Sequence, residues 1–258
     1  FCYGVRRAVQ LAQEAVPGTH TLGPIIHNPQ VVDRLVQQGV CPVDRLDEVA
    51  DGSTILIRSH GVGPECYKEA EAKGLTIIDA TCPHVQKAQK DAKKIIDDGG
   101  NLLIIGEKNH PEVISISQWG ANRAIIIETE DEAEQIPYTE HLGVVVQTTF
   151  SQERFKRMYA ILEKKTDQLD LHMTICTATQ QRQNAAVALA KTVDAMIVIG
   201  GKNSANTGRL AEVCQQAGCT THHIETAAEL ETGWFKGMKN IGITAGASTP
   251  DWIIQEVV

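Results

Sequence analysis

The chain contains no CxxC pair, no Walker-type phosphate loop with its lysine, and no basic tail. No apolar run approaches the ~18 residues that a membrane-spanning helix needs, and no secretory leader is visible. Each absence excludes something. Seven cysteines scattered singly over 258 residues do not make a zinc ribbon or a secreted disulfide framework; a reduced, cytosolic compartment with a metal or catalytic use for some of them fits better. A formal charge of −8 argues against nonspecific nucleic-acid binding, so an anionic ligand would need local donors. Aromatics are only 4% of the residues, yet 42% hydrophobic content over this length suffices for a substantial core or several small ones.

What is present is organised around Asp79–Ala80–Thr81–Cys82–Pro83–His84–Val85. The apolar Leu75–Thr76–Ile77–Ile78 before it reads as a buried strand, and Val85, Ala88, Ala92, Ile95 and Ile96 after it have helical spacing. Thr81 is the expected N-cap and Pro83 the first-turn residue. Cys82 then sits at a helix N-terminus, where the partial positive charge favours a thiolate.

The arrangement recurs at roughly 85-residue intervals, as expected of an internal repeat. Cys2 and Cys176 also open helices, the first with Val5, Ala8, Val9, Ala12 and Val16 as its apolar stripe. A strand and polar loop follow each: Thr21–Asn28, Leu102–His110 and Met196–Ser204, the last two sharing Gly-x-Lys-Asn. A second strand and loop close each copy at Ile55–Gly61, Val144–Thr149 and Ile241–Ser248, with helices expected over Pro64–Lys73, Ser151–Lys165 and from Pro250 onward. Alternating strands and helices predict mainly parallel sheets with ligands at the strand carboxyl ends. The expected fold is an α/β trefoil of three pseudo-threefold-related lobes, 1–80, 81–172 and 173–258, although a linear array would share the same repeat.

Three cysteines from three lobes suit a metal centre: zinc with a fourth ligand, or an iron–sulfur cube with one iron left open. The loop tips carry His27, Asn28, His60, His110, Glu112, Gln147, Thr148, Ser204, Asn206 and Ser248. Histidines, hydroxyls and amides beside Gly-rich turns make a donor-rich site for a phosphate or diphosphate. Glu112 is the only carboxylate in the set, and bound anions would raise its pKa toward that of a proton donor. Cys41, Cys66, Cys214 and Cys219 read as packing or surface residues. So do His222–His223 and the acidic run Glu128–Glu134, while Lys108 and Lys202 are candidates for supporting their loops.

The motifs around Cys2, His27–Asn28, Ser59–His60–Gly61–Val62, Cys82–Pro83, His110–Pro111–Glu112–Val113, Gln147–Thr148–Thr149, Cys176 with Gln181–Arg182–Gln183, Lys202–Asn203–Ser204 and Thr244–Ser248 together resemble the 4-hydroxy-3-methylbut-2-enyl diphosphate reductase family, over essentially the whole chain. The resemblance implies a [4Fe–4S] cluster on Cys2, Cys82 and Cys176, whose open iron would bind the substrate hydroxyl. It implies that His27, His60, His110, Thr148, Ser204, Asn206 and Ser248 bind an allylic diphosphate. Glu112 and Thr148 would be the catalytic pair, and ferredoxin or flavodoxin would supply electrons for reductive dehydroxylation to isopentenyl and dimethylallyl diphosphate. The implied setting is the cytoplasm, or the plastid stroma in a plant or alga, with no membrane or nucleic-acid partner. The family's first strand and C-terminal tail lie outside Phe1–Val258, so truncated ends are expected. Ala205 stands where many members have a second serine, and Ser115 where glycine is usual. Two other readings share these residues: a non-redox iron–sulfur hydro-lyase acting on a phosphorylated substrate, which would need no reductant, and a phosphate-binding redox sensor, which would tolerate loss of Glu112.

Overall fold

A computed structural model describes residues 1–258. The first unit comprises α1 (Tyr3–Glu14), β1 (His20–Leu22), α2 (Pro29–Gln37), β2 (Cys41–Val43), β3 (Thr54–Ile57), α3 (Pro64–Ala72) and β4 (Thr76–Asp79). The second comprises α4 (Pro83–Asp97), β5 (Asn101–Ile105), α5 (Pro111–Trp119), β6 (Ile125–Ile127), α6 (Glu130–Glu134), β7 (Thr139–Val146), α7 (Gln152–Leu162) and β8 (Thr166–His172). The third comprises α8 (Thr177–Ala190), β9 (Ala195–Ile199), α9 (Ala205–Gln216), β10 (Thr220–Ile224), β11 (Ile241–Ala245) and α10 (Asp251–Val257).

The strand orders are β2-β1-β3-β4, β6-β5-β7-β8 and β10-β9-β11, and every pairing is parallel. The three sheets are therefore copies of one pattern. Their central strands are apolar on both faces: Leu102–Ile105 and Ala195–Ile199 are entirely buried. Helices must cover both sides of such a sheet, and each sheet accordingly has its own pair of apolar layers. In the second unit one layer gathers around Phe150, Phe155 and Met158 and the other around Ala88, Ile95 and Ile116.

Three backbone hydrogen bonds close the units into a ring. The Cys82 N–H donates to the Ser59 carbonyl (2.9 Å), Cys176 to Thr148 (2.9 Å) and Cys2 to Ala247 (3.1 Å). The last joins the first helix to the final sheet, a contact that a linear array does not make. Further junctions are the Ser248 hydroxyl donating to the His27 carbonyl (3.1 Å), Ser115 Oγ on the His60 carbonyl (3.1 Å), and Arg209 Nη2 with Glu107 (3.6 Å).

Several local expectations change. The N-cap of α4 is Cys82, not Thr81; Cys2 and Cys176 occupy the same position, and none of the three uses its sulfur as a cap. Val16 lies beyond the end of α1, just before Pro17, and is 65% exposed. The helix expected over Ser151–Lys165 stops at Leu162, passes through a 3₁₀ turn and yields to β8, whose alternation of charged and apolar residues suits a sheet edge. The acidic run forms α6 and supports the neighbouring loop: Lys108 pairs with Glu132, and Glu128 accepts from the Lys108 N–H. Lys202 repeats this with Glu229 and Glu225. His222 and His223 are partly buried, stacking on Trp234 and bonding the Gly200 carbonyl (2.8 Å), respectively. No helix is long and apolar enough to cross a membrane.

Candidate functional site

The loops after β1, β3, β4, β5, β7, β8, β9 and β11 line one cleft at the centre of the ring. All of the singled-out cysteines, Cys2, Cys82 and Cys176, line it, as do His27, His60, His110, Glu112, Thr148, Ser204, Asn206 and Ser248. Asn28 and Gln147 do not. Asn28 Oδ1 caps α2 through the Val31 N–H, and Gln147 Oε1 accepts from the Glu107 N–H, so both stabilise loops. His84, Thr149 and Thr179 also line the cleft. They are not among the candidates that the sequence pattern singles out, although His84 and Thr179 follow cleft cysteines by two and three residues and share their helical first turns.

The histidines cluster tightly. The His27 and His60 rings stack at 4.1 Å between centroids, and His110 meets them edge-on at 5.3 and 5.4 Å. Burial holds all three neutral. His27 is lowered to about 4 and His110 to about 3, with His60 well below its ordinary value; Arg58 contributes to each shift. A ring nitrogen of each lies within 4.8 Å of the others, close enough for a metal ion. The tautomer opposes that use. His110 Nδ1 accepts from the Glu112 N–H (3.1 Å), so in neutral His110 the proton sits on Nε2 and makes it a donor. The His110 Nε2–H suits an anion, and neutral His27 and His60 each have one N–H to offer as well.

The other polar groups agree. His110 and Ser204 are the N-caps of α5 and α9, so these helix N-termini join those opened by Cys2, Cys82 and Cys176 at the cleft. Asn206 is 6% exposed, and neither its amide nitrogen nor its oxygen has a partner; buried amides left unsatisfied in this way point to a ligand. The Ser248 hydroxyl donates to the His27 carbonyl and lines the cleft. Ala205 lines the cleft without a hydroxyl.

Glu112 is 2% exposed. Thr148 donates to it twice, from N to Oε1 (2.6 Å) and from Oγ1 to Oε2 (2.8 Å). Both bonds favour the carboxylate, yet burial outweighs them and pushes its pKa up to about 7. The cause is burial by the fold, present before any anion binds.

Cys82 also departs from expectation. Burial pushes its thiol up to about 11, although the His84 and Val85 N–H groups bond the sulfur. Desolvation exceeds the helix terminus here, and a metal centre would replace the proton. The three thiols are free and half-buried. Their sulfurs do not form a set within 4.8 Å of one another, as the histidine nitrogens do. A single tetrahedral zinc with bonds of about 2.3 Å would hold them roughly 3.8 Å apart. The wider spacing fits a polynuclear centre. Gly4 keeps room beside it, since a Cβ there would lie 2.5 Å from Cys82 Sγ.

Three parallel α/β units closed around one cleft, lined by three free cysteines and by buried neutral histidines, define an α/β trefoil that gathers three thiols from three units. The LytB protein family matches residues 1–258, and the chain belongs to that family. It is 47% identical over 261 residues to the 4-hydroxy-3-methylbut-2-enyl diphosphate reductase of Citrifermentans bemidjiense, covering 100% of this chain and 92% of the relative. It is 43% identical over 265 residues to the reductase of the same name from Caldanaerobacter subterraneus, again covering 100% and 92%. Among solved structures, the E-1-hydroxy-2-methyl-but-2-enyl-4-diphosphate reductase of Plasmodium falciparum superposes with a TM-score of 0.96 at 28% identity, covering 99% of this chain and 83% of that one. A second structure, (E)-4-hydroxy-3-methyl-but-2-enyl diphosphate reductase, the terminal enzyme of the non-mevalonate pathway, superposes with a TM-score of 0.70 at 44% identity, covering 100% and 94%.

Proposed function

We propose that the chain is an oxidoreductase that converts 4-hydroxy-3-methylbut-2-enyl diphosphate to isopentenyl and dimethylallyl diphosphate. The observation that carries this reading is the meeting, in one cleft, of three free cysteines, a neutral donor cluster and a buried carboxyl with a pKa of about 7. The family and the full-length relatives support the same reaction.

In this reading the lobes 1–80, 81–172 and 173–258 each contribute one thiolate, from Cys2, Cys82 and Cys176, to a [4Fe–4S] cluster. When bound, the cluster supplies electrons singly and an iron without a protein ligand. His27, His60, His110, Thr148, Ser204, Asn206 and Ser248 hold the diphosphate through neutral polar groups and helix N-termini, and Ser248 also steadies the His27 loop. The reaction takes two electrons and two protons. The C–O bond breaks, one proton makes the departing hydroxyl into water and the other reaches the allylic carbon. Glu112 holds a proton at Oε1 or Oε2 near neutral pH, and Thr148 fixes its orientation. A small one-electron carrier, ferredoxin or flavodoxin, delivers the electrons in the cytoplasm.

The test is anaerobic turnover of the diphosphate with a reduced viologen dye. Two dye molecules should be oxidised for each substrate consumed. Consumption without dye oxidation would favour a hydro-lyase, and no consumption by the cluster-loaded protein would refute the reading.

A further inference from the structure

None of the residues lining the main cleft is a lysine or arginine, and burial keeps the clustered His27, His60 and His110 neutral. The charge of a diphosphate must therefore be balanced from behind the walls. Arg58 is the last residue before the Ser59–His60 loop, at the carboxyl end of β3. It lines a second cleft together with Leu22, Gly61, Pro111 and Ser115. Leu22 ends the strand leading to His27, Gly61 follows His60, and Pro111 follows His110. Arg58 thus shares this second cleft with residues adjoining all three histidine-bearing segments.

Its charge has no direct partner. Asp44 and Glu69 share the second cleft, but no carboxylate comes within 4.0 Å of the guanidinium, and Arg58 Nε is buried without a hydrogen bond. Space is kept for it by Gly23, whose φ is +71° and where a Cβ would lie 2.3 Å from Arg58 Nη1. Leaving a half-buried guanidinium unpaired costs free energy. The arrangement is coherent if an anion on the far side of the histidines completes it. Arg58 is also the one lysine or arginine that disfavours protonation of His27, His60 and His110 alike, as a cation close to all three must.

We propose that Arg58 is the electrostatic anchor of the anion site: a positioning cation that does not touch the ligand but supplies, through the three neutral histidines, the positive charge that holds a diphosphate. The proposal rests on reading the main cleft as a diphosphate site. It separates two tasks that a single lysine often combines. The histidines provide directed N–H donors without charge, and Arg58 provides charge without direct contact. In a partly desolvated wall a unit charge several ångströms away still acts appreciably on an anion.

Calorimetric titration of inorganic pyrophosphate into the anaerobically purified, cluster-containing enzyme tests this. The wild type should bind, and Arg58→Met should bind roughly 10- to 100-fold more weakly, the scale of losing one partly buried charge. Arg58→Lys should recover most of the loss, and the salt dependence of binding should flatten in the Met variant. With the organic substrate, KM should rise while kcat stays within a fewfold of wild type. Arg58→Gln serves in the same titration if the Met variant does not fold. Equal binding by wild type and the neutral variants would overturn the role of Arg58 while leaving the anion site intact. Equal weakness of the Lys and neutral variants would show that shape, not charge, is used, and would also overturn it. Absence of pyrophosphate binding by the wild type would overturn both the anchor and the diphosphate reading.

Discussion

Thr148 grips both oxygens of Glu112, its backbone N–H at 2.6 Å from Oε1 and its hydroxyl at 2.8 Å from Oε2, across the junction between the β5 and β7 loops. The carboxyl is thereby fixed in direction and, through burial, balanced between its two protonation states near pH 7.

Glu112→Gln keeps the shape and removes the transferable proton. Turnover should fall ~10²-fold or more, the usual scale for losing a general acid, while pyrophosphate affinity changes little. Stability should report the same group with a defined sign. The native carboxyl keeps its proton to about pH 7 against an ordinary value of 4.5, so the native state binds more protons between those values. Its contribution to stability therefore falls as pH rises through that window and is flat beyond it. Denaturant titrations at pH 5 and pH 8 should show a smaller loss for Glu112→Gln than for wild type; equal losses would contradict the assignment.

Thr148→Val removes the hydroxyl donor and leaves the backbone one. The lost bond favoured the carboxylate, so the carboxyl should hold its proton to still higher pH. The pH–rate profile should show its alkaline limb above the wild-type position near pH 7. A shift to lower pH would mean that Thr148 does not act on Glu112.

Ser115 is fully buried and touches the His60 carbonyl (3.1 Å), the Glu112 carbonyl (2.8 Å) and Gln89 Nε2 (3.2 Å). It pins the His60 loop to the helix carrying Glu112. Ser115→Ala should lower stability by about 1 kcal/mol, and Ser115→Gly by roughly 1 kcal/mol more through helix propensity. Chemical denaturation measures both. Pyrophosphate affinity should weaken in parallel if the pin also aligns His60.

Arg209, 7% exposed, reaches Glu107 across the junction of the second and third units, pairs with Glu212 and lies 5.7 Å from the Phe150 ring centroid. Arg209→Met should cost about 2 kcal/mol, less than the ~3–5 kcal/mol of a fully buried pair because both carboxylates reach solvent. The thermal midpoint should drop by several degrees. An unchanged midpoint would remove Arg209 as an interlobe strut.

Much of this architecture is legible in the sequence because a repeat writes its local geometry three times. Cys2, Cys82 and Cys176 each precede an amphipathic helix, and the β-branched runs ending at His110 and Ser204 align, so the residue pattern alone locates the strand ends and loop tips. Closure is not legible. The Cys2–Ala247 bond links residues at opposite ends of the chain, and nothing local distinguishes a ring from an array. Effects of burial are hidden for the same reason: the helix terminus at Cys82 is written in the sequence, whereas the desolvation that overrides it comes from packing. Asn28 and Gln147 carry side-chain amides like that of the cleft-lining Asn206 and differ in having found a backbone partner. Arg58 gives no signal as part of the site, because its side chain lies behind the loop that His60 fronts.

The central claim is that three thiolates share one iron–sulfur centre. Iron, acid-labile sulfide and electron paramagnetic resonance, measured on anaerobically purified wild type beside Cys82→Ser, test it most directly. The account predicts about four irons and four sulfides per chain in the wild type, with the centre lost or degraded in the variant. One equivalent of zinc, or an iron content and spectrum unchanged in Cys82→Ser, would contradict it.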